Sequence, residues 1–302
     1  MFQVNHTELY GKTMTDNLSK PSKTKHLIMD ANNLLFRARH ACYRRQYDHV
    51  ITHTFFRSIK PLVEKFNPDC VYFVLDGYPK KRMELSSDYK GTREYHDKDN
   101  FRVQRKKSIS MIKESVPFLV MRHPEMEADD VIADLVLRKL PESHEKVIVS
   151  SDTDFIQLCQ EPAKNVLLYN PIKKDYREAP PYSYSRWKAL RGDSADNIPG
   201  LKGIGNKRAA ALMQEVGALE AFFQKKPELR EQYNKNVEMI ELIAMTPDEF
   251  SDVEMWYSQN PFSTLRETFT QMNLKSMITD KAWGNYSKPF GGLKDGREYF
   301  IK

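Results

Sequence analysis

Four short apolar runs, separated by stretches with helical periodicity, constrain this chain more than any other feature. His26-Leu-Ile-Met-Asp30 ends on an acid, and Cys70 to Leu75 stops at Asp76, just before Gly77. Phe118 to Met121 and Lys146 to Ser150 repeat the pattern, the latter leading into S-S-D-T-D with Asp152 and Asp154. A helical pattern through Leu34, Leu35 and Ala38 follows the first run, and a second helix is expected from about Val50 to Phe66. Continuous apolar runs between helices are the mark of parallel strands buried on both faces. Ligands of such sheets sit beyond the carboxyl ends of the strands, which is where Asp30, Asp76, Asp152 and Asp154 fall. Val166 to Tyr169 reads as an edge strand.

A single aspartate after a strand is ordinarily a turn former or a helix cap. Recurrence argues for more, and the stretch Met126 to Leu135 adds to it. As a helix, it places Ala128, Val131, Ile132, Leu135 and Val136 on an inward stripe and Glu127, Asp130 and Asp134 on another face. Two readings stay open there. Acids in a first turn complement the helix macrodipole, for which one carboxylate suffices. Glu127, Asp129 and Asp130 together repel one another, which a divalent cation between them would relieve. Carboxylate ligands without histidine or cysteine favour Mg²⁺ or Mn²⁺ over zinc.

With 302 residues the chain has room for one large or two ordinary domains. Cys42, Cys70 and Cys159 lie far apart and suggest neither a disulfide framework nor a zinc site, which fits a reducing cytoplasm. The first twenty residues are polar, and no run reaches the roughly 18 apolar residues of a membrane span. Net charge is +6, which admits a polyanionic partner. The segment from Lys80 to Lys113 holds eleven Lys/Arg against five Asp/Glu, an excess equal to that of the whole chain. A solvated helix face laced with i,i+4 pairs is the plain explanation. Interruption by Tyr89, Gly91 and Tyr95, beside a candidate ligand at Asp76, favours phosphate neutralisation and base stacking on a single strand.

Beyond a Pro/Tyr-rich linker from Glu178 to Tyr184 the composition turns helical. Gly203-Ile204-Gly205, followed by Lys207 and Arg208, reads as a glycine turn opening a helix whose amides can meet a phosphate, against an ordinary helix-turn-helix. Asp193 and Asp196 either cap that helix or reach the acidic cluster. The expected division is a polar arm over 1–24, an α/β domain over 25–180, a helical subdomain over 181–279 and a tail over 280–302.

These motifs resemble the 5′ nuclease superfamily: flap endonucleases, the 5′-nuclease domain of bacterial DNA polymerase I, phage 5′-to-3′ exonucleases and T-even-type phage ribonucleases H. L-I-M-D-A-N-N-L-L-F-R and F-V-L-D-G-Y-P-K-K-R look like its first two metal motifs, and D-Y-K-G-T-R like its helical-arch segment. M-E-A-D-D-V-I-A and S-S-D-T-D-F are similar to its central acidic motifs, and G-D-S-A-D-N-I-P-G-L-K-G-I-G-N-K-R to its helix-hairpin region. The resemblance spans about residues 25 to 275, with six motifs in the family's order.

The resemblance implies a PIN-like α/β domain with a mainly parallel sheet flanked by helices, an arch over 80–113, and a helix-hairpin-helix DNA-binding subdomain. Asp30, Asp76, Glu127 and Asp129 would hold one cation. Asp152, Asp154 and Asp193 would serve a second, with Asp129 shared and Asp130 and Asp196 in support. Lys90 and Arg93 would reach the scissile phosphate, while Arg82 and Tyr89 would steer the 5′ strand. Lys202, Gly203, Gly205, Lys207 and Arg208 would grip the duplex, and carbonyls around Gly200 to Ile204 would bind K⁺. The implied activity is Mg²⁺-dependent (or Mn²⁺-dependent) 5′-to-3′ cleavage of DNA flaps and ends and of RNA primers in RNA–DNA hybrids. Chain length leaves no room for a polymerase domain and implies a free-standing, monomeric nuclease, in the host cytoplasm if phage-encoded. Partners of the single-strand-binding or clamp type are conceivable, and no motif identifies one. Two rivals remain. A non-catalytic structure-specific DNA-binding protein would not need so many carboxylates, and a PIN-type ribonuclease would lack the Lys80 to Lys113 segment and the hairpin.

Overall fold

Strand β1 (Lys25–Asp30) shows why the apolar runs are continuous. Leu27 and Met29 enter one hydrophobic core and Ile28 the other. In β2 (Cys70–Leu75), Val71, Phe73 and Leu75 face the first core, and Cys70, Tyr72 and Val74 face the second. Side chains alternate across a strand, so a sheet covered on both faces needs apolar residues at every position. The computed structural model describes residues 23–42, 44, 48–91 and 98–300, and the expected N-terminal arm lies almost wholly outside them.

The other strands are β3 (Leu119–Arg122), β4 (Glu145–Val149), β5 (Val166–Asn170), β6 (Asp175–Arg177), the pair β7 (Gly192–Asp193) and β8 (Ile198–Pro199), and β9 (Glu254–Trp256). Seven of them form one sheet in the order β6-β5-β4-β1-β2-β3-β9, with β1 to β5 parallel and β6 and β9 antiparallel at the edges. The mixed α/β class with a mainly parallel sheet is as expected. Val166 to Tyr169 is not an edge: β6 folds back across a short turn to cover it, pairing Tyr169 with Tyr176. Three residues are too short a run to give a strand signature of their own.

Helices α1 (Ala31–Ala41), α2 (Val50–Phe66) and α4 (Lys98–Ser115) belong to the first core, while α5 (Ala128–Asp134) covers the second. The expected inward stripe is buried throughout, from Ala128 in α5 to Leu135 and Val136 in the π-helical turn that continues it. Helix α3 (Lys80–Leu85) opens the segment 80–113 that is expected to arch over the site. Both flanks of that segment are packed against the body. Phe101, Met111 and Ile112 join the first core, Gln104 Oε1 accepts from the Ile51 amide at 2.9 Å, and Arg82 is buried. The intervening residues 92–97, with Arg93 and Tyr95, lie outside the described residues.

The helical subdomain is smaller than expected. Its core joins α6 (Tyr184–Arg191), α7 (Asn206–Gln214), α8 (Ala218–Lys225) and α9 (Arg230–Ile240). After α10 (Pro247–Ser251) the chain returns to the sheet as β9, and α11 (Leu265–Gln271), α12 (Lys275–Ile278) and α13 (Asp280–Ser287) pack on the first core. The region 280–300 is therefore packed on the body. Tyr286 OH donates to the Phe56 carbonyl at 3.3 Å, Phe290 packs on Phe118, and Gly296 lies against Tyr72. No helix among the described residues is long and apolar enough to cross a membrane.

A carboxylate-rich candidate active site

Asp30 is both the last residue of β1 and the cap of α1. Its Oδ1 accepts from the Asn33 amide at 3.0 Å, and its Oδ2 accepts from the Ser150 hydroxyl at 2.8 Å, one strand over. Burial, then the nearby Asp76 and Asp152 carboxylates, push its carboxyl up to about 7 against those hydrogen bonds. Asp76 follows β2; its Oδ1 accepts from the Ala128 amide at 2.8 Å and its Oδ2 from Asn32 Nδ2. Gly77 makes that approach possible. A Cβ there would lie 1.9 Å from the His123 carbonyl oxygen, while the Gly77 amide donates to Met126 O at 2.8 Å. The start of α5 is thus docked against the end of β2.

Asp129, in the first turn of α5, is pushed well above the usual carboxylate range by burial and by repulsion from Asp152, Asp30 and Glu127. Four acids from three distant parts of the chain therefore share one centre. Asp152 Oδ1 accepts from the Asp154 amide at 3.0 Å, fixing the S-S-D-T-D turn. Asp154, Asp193 and Asp196 place carboxylate oxygens within 4.8 Å of one another. Burial and Asp152 push Asp154 up to about 6, against the pull of Lys188.

Two lysines offset this charge. Lys188, 3% exposed on α6, contacts Asp154 and lies 2.5 Å from Asp193 Oδ2. Its position five residues before Asp193 was the only sequence signal, and nothing in the pattern singled it out. Lys90 Nζ donates to Glu127 Oε1. Burial would raise the Glu127 carboxyl, but Lys90 and Arg82 outweigh it and hold it below the usual range. Lys90 itself sits at φ 56°, in the left-handed region.

Three expected roles change. Arg82 is 4% exposed and pairs with Glu127 (Nη1 to Oε2, 2.9 Å) and Asp130 (2.6 and 2.9 Å), so it is not on the surface where a strand could pass. Tyr89 is also buried, and its hydroxyl donates to Glu127 Oε2 at 2.9 Å. Asp130 is fully buried and turned to Arg82 and to the Ile243 amide at 2.7 Å, away from a supporting position at a cation. The common cause is burial of charge, which has to be met by an opposite charge nearby. A residue absent from the sequence reading, Arg105 on α4, donates to Asn32 Oδ1 at 3.0 and 2.7 Å, and Asn32 in turn holds Asp76.

The hairpin is formed by α6, the β7–β8 pair, the 201–205 turn and α7. Gly192 and Gly200 are pressed together: a Cβ on Gly192 would sit 2.2 Å from Gly200 N. Gly203 takes φ 79°, Leu201 and Ile204 are buried beneath the turn, and Gly205 begins α7 without a side-chain cap. Lys202, Lys207 and Arg208 are exposed, as are Gly205 and Asn206 at the start of α7, and Arg208 donates to Gly203 O at 3.3 Å. Uncapped amides with positive charge beside them suit a phosphate.

The donor set fits hard divalent cations, since it is all oxygen and burial, together with crowding of like charge, raises the Asp30, Asp129 and Asp154 carboxyls. Sheet, acids and hairpin define the class: an α/β protein with an acidic centre at the strand ends and a helical hairpin beside it. A family model described as 5′-3′ exonuclease, N-terminal resolvase-like domain, matches residues 25–185, and one described as 5′-3′ exonuclease, C-terminal SAM fold, matches 179–248. The chain belongs to the 5′-3′ exonuclease family. It is 31% identical over 268 residues to DNA polymerase I of Lactococcus lactis, covering 80% of this chain and 29% of that protein. It is 28% identical over 251 residues to a 5′-3′ exonuclease of Aquifex aeolicus, covering 75% of this chain and 83% of that one. A bacteriophage T5 flap endonuclease, solved as a pseudo-enzyme-product complex with DNA and metal ions, shares the fold at TM-score 0.60 and 18% identity, over 88% of this chain and 97% of that one. The chain spans about three tenths of the length of the DNA polymerase I relative.

Proposed function

We propose that this protein is a divalent-cation-dependent 5′ nuclease that hydrolyses phosphodiester bonds in DNA flaps and ends and in RNA primers paired to DNA. One observation carries the reading: Asp30, Asp129 and Asp154 come from three separate segments into one crowded centre, where burial and then the neighbouring carboxylates raise all three. Mg²⁺ or Mn²⁺ ions bound there, two in this reading, would supply hydroxide and charge neutralisation at the phosphate. Asp30, Asp76, Glu127 and Asp129 would hold one, and Asp152, Asp154 and Asp193 the other, with Asp196, whose carboxylate lies within 4.8 Å of those of Asp154 and Asp193, beside them. Lys90, now on Glu127, would turn to the scissile phosphate, a contact worth ~2–4 kcal/mol in comparable sites. Lys202, Lys207 and Arg208 with the α7 amides would hold the duplex, and K⁺ at the carbonyls of Gly200 to Ile204 belongs to the same proposal.

The experiment is incubation with a 5′-labelled flap, a blunt duplex and an RNA/DNA hybrid, in Mg²⁺ and in EDTA. Cleavage of flap and hybrid from the 5′ side in Mg²⁺ alone supports the reading. Binding without cleavage would favour a structure-specific DNA-binding protein, and cleavage of single-stranded RNA alone a PIN-type ribonuclease.

A further inference from the structure

All five N–H groups of Arg82 lie in a buried network that reaches two separate segments, the start of α5 and the C-terminal end of α9. Nη1 donates to Glu127 and Asp130, and Nη2 to Asp130 Oδ1 at 2.9 Å. Nε donates to the Met239 carbonyl at 3.0 Å, and Nη2 also meets Glu241 O at 3.4 Å. Those carbonyls are at the C-terminal end of α9, where an intrahelical partner is lacking. The same joint is held again from the acid side. Gln157, three residues after Asp154, donates to Ile240 O at 3.1 Å, and its Oε1 accepts from the Leu242 amide at 3.4 Å. Asp130 accepts from the Ile243 amide.

Helix α9 is also the support of the hairpin. Asn236 donates to Ala189 O at 2.9 Å and Pro199 O at 2.8 Å, one on each side of the β7–β8 turn. A chain of hydrogen bonds thus runs from the hairpin base through α9 to the carboxylate of Glu127. A planar fork fixes its partners' positions in a way that a single flexible ammonium cannot.

We propose that Arg82 is a positioning residue that sets Glu127 for the cation through the joint at Met239 to Ile243, and so holds the hairpin and the acidic centre in one geometry. It does not touch the strand. Orienting partners of a ligand, when lost, lower cation affinity by about 10- to 100-fold. The inference rests on the reading of the acidic centre as a cation site, and the test separates the two.

Binding of Mn²⁺ to the whole protein, without DNA, is measured by calorimetry for wild type and Arg82→Lys, with thermal unfolding in EDTA as the fold control. Lysine keeps the charge and loses the fork. The expected result is a folded variant whose tighter Mn²⁺ site weakens by about tenfold or more. A folded variant with wild-type Mn²⁺ affinity but weaker duplex binding in EDTA would overturn the proposal and return Arg82 to strand contact. If Arg82→Lys does not fold, Asp130→Asn replaces it, since that change loosens the guanidinium while keeping an acceptor for Ile243. A loss of about tenfold or more in Mn²⁺ affinity is then expected, and an unchanged affinity overturns the proposal. Absence of Mn²⁺ binding by the wild type would instead sink the cation-site reading itself.

Discussion

Lys188 Nζ lies 2.5 Å from Asp193 Oδ2 and also contacts Asp154, so one buried ammonium bridges two acids that come from different domains of the fold. Burial alone would make the ammonium easier to deprotonate, but the two carboxylates outweigh it and hold Lys188 above the ordinary lysine range. Breaking a buried charge network from one side costs about 3–5 kcal/mol. Lys188→Met is expected to lose stability on that scale in EDTA and to recover part of it with Mg²⁺, as measured by urea unfolding. Equal stability of variant and wild type in EDTA would show that the ammonium is not needed there.

The crowded carboxyls fix the sign of a pH effect. Asp30 and Asp154 titrate near 7 and 6 in the folded protein, above their unfolded value, so the folded state binds more protons between about pH 4 and 7. Stability contributed by these groups is present at low pH and is lost as pH rises through 6 and 7. In EDTA the melting temperature should fall between pH 5 and 8, and saturating Mg²⁺ should flatten that fall. A melting temperature that climbs over this range without cation would contradict the electrostatics described.

Asp129 feels the charge of Asp152, Asp30 and Glu127 together, which suits the shared-ligand role proposed for it. Asp129→Ala should abolish turnover in Mg²⁺ while flap binding, tested in Ca²⁺, largely survives. Ordinary cleavage by this variant would discredit the site.

On the hairpin, exposed Lys207 follows directly on the first residue of α7. Lys207→Ala should weaken duplex binding without regard to sequence and reduce the slope of log affinity against log salt by about 0.9 if one phosphate contact is lost. An unchanged slope would remove Lys207 from the duplex.

Much of this was legible in the sequence because the physics is local. Ile28 and Tyr72 must be apolar where a sheet is covered twice, and an acid after such a strand has only one edge to occupy. The stripe from Ala128 to Val136 likewise follows from helical spacing. Partnerships across the chain are another matter. Spacing put Asp130 on a polar face, but only the fold shows Arg82 waiting there, 48 residues away, to turn both from solvent-facing roles into a buried pair. Glu254–Trp256 is too short to announce a strand. Trp283, Tyr286 and Phe290, spaced three and four apart, carried the signal that the C-terminal region packs on the core.

The central claim is that these acids form one centre holding paired divalent cations, and anomalous diffraction from crystals grown with Mn²⁺ tests it most directly. Two peaks about 4 Å apart, one bordered by Asp30, Asp76 and Glu127, the other by Asp152, Asp154 and Asp193, with Asp129 between them, are the predicted result. Peaks far apart, or none among these carboxylates at saturating Mn²⁺, would contradict it.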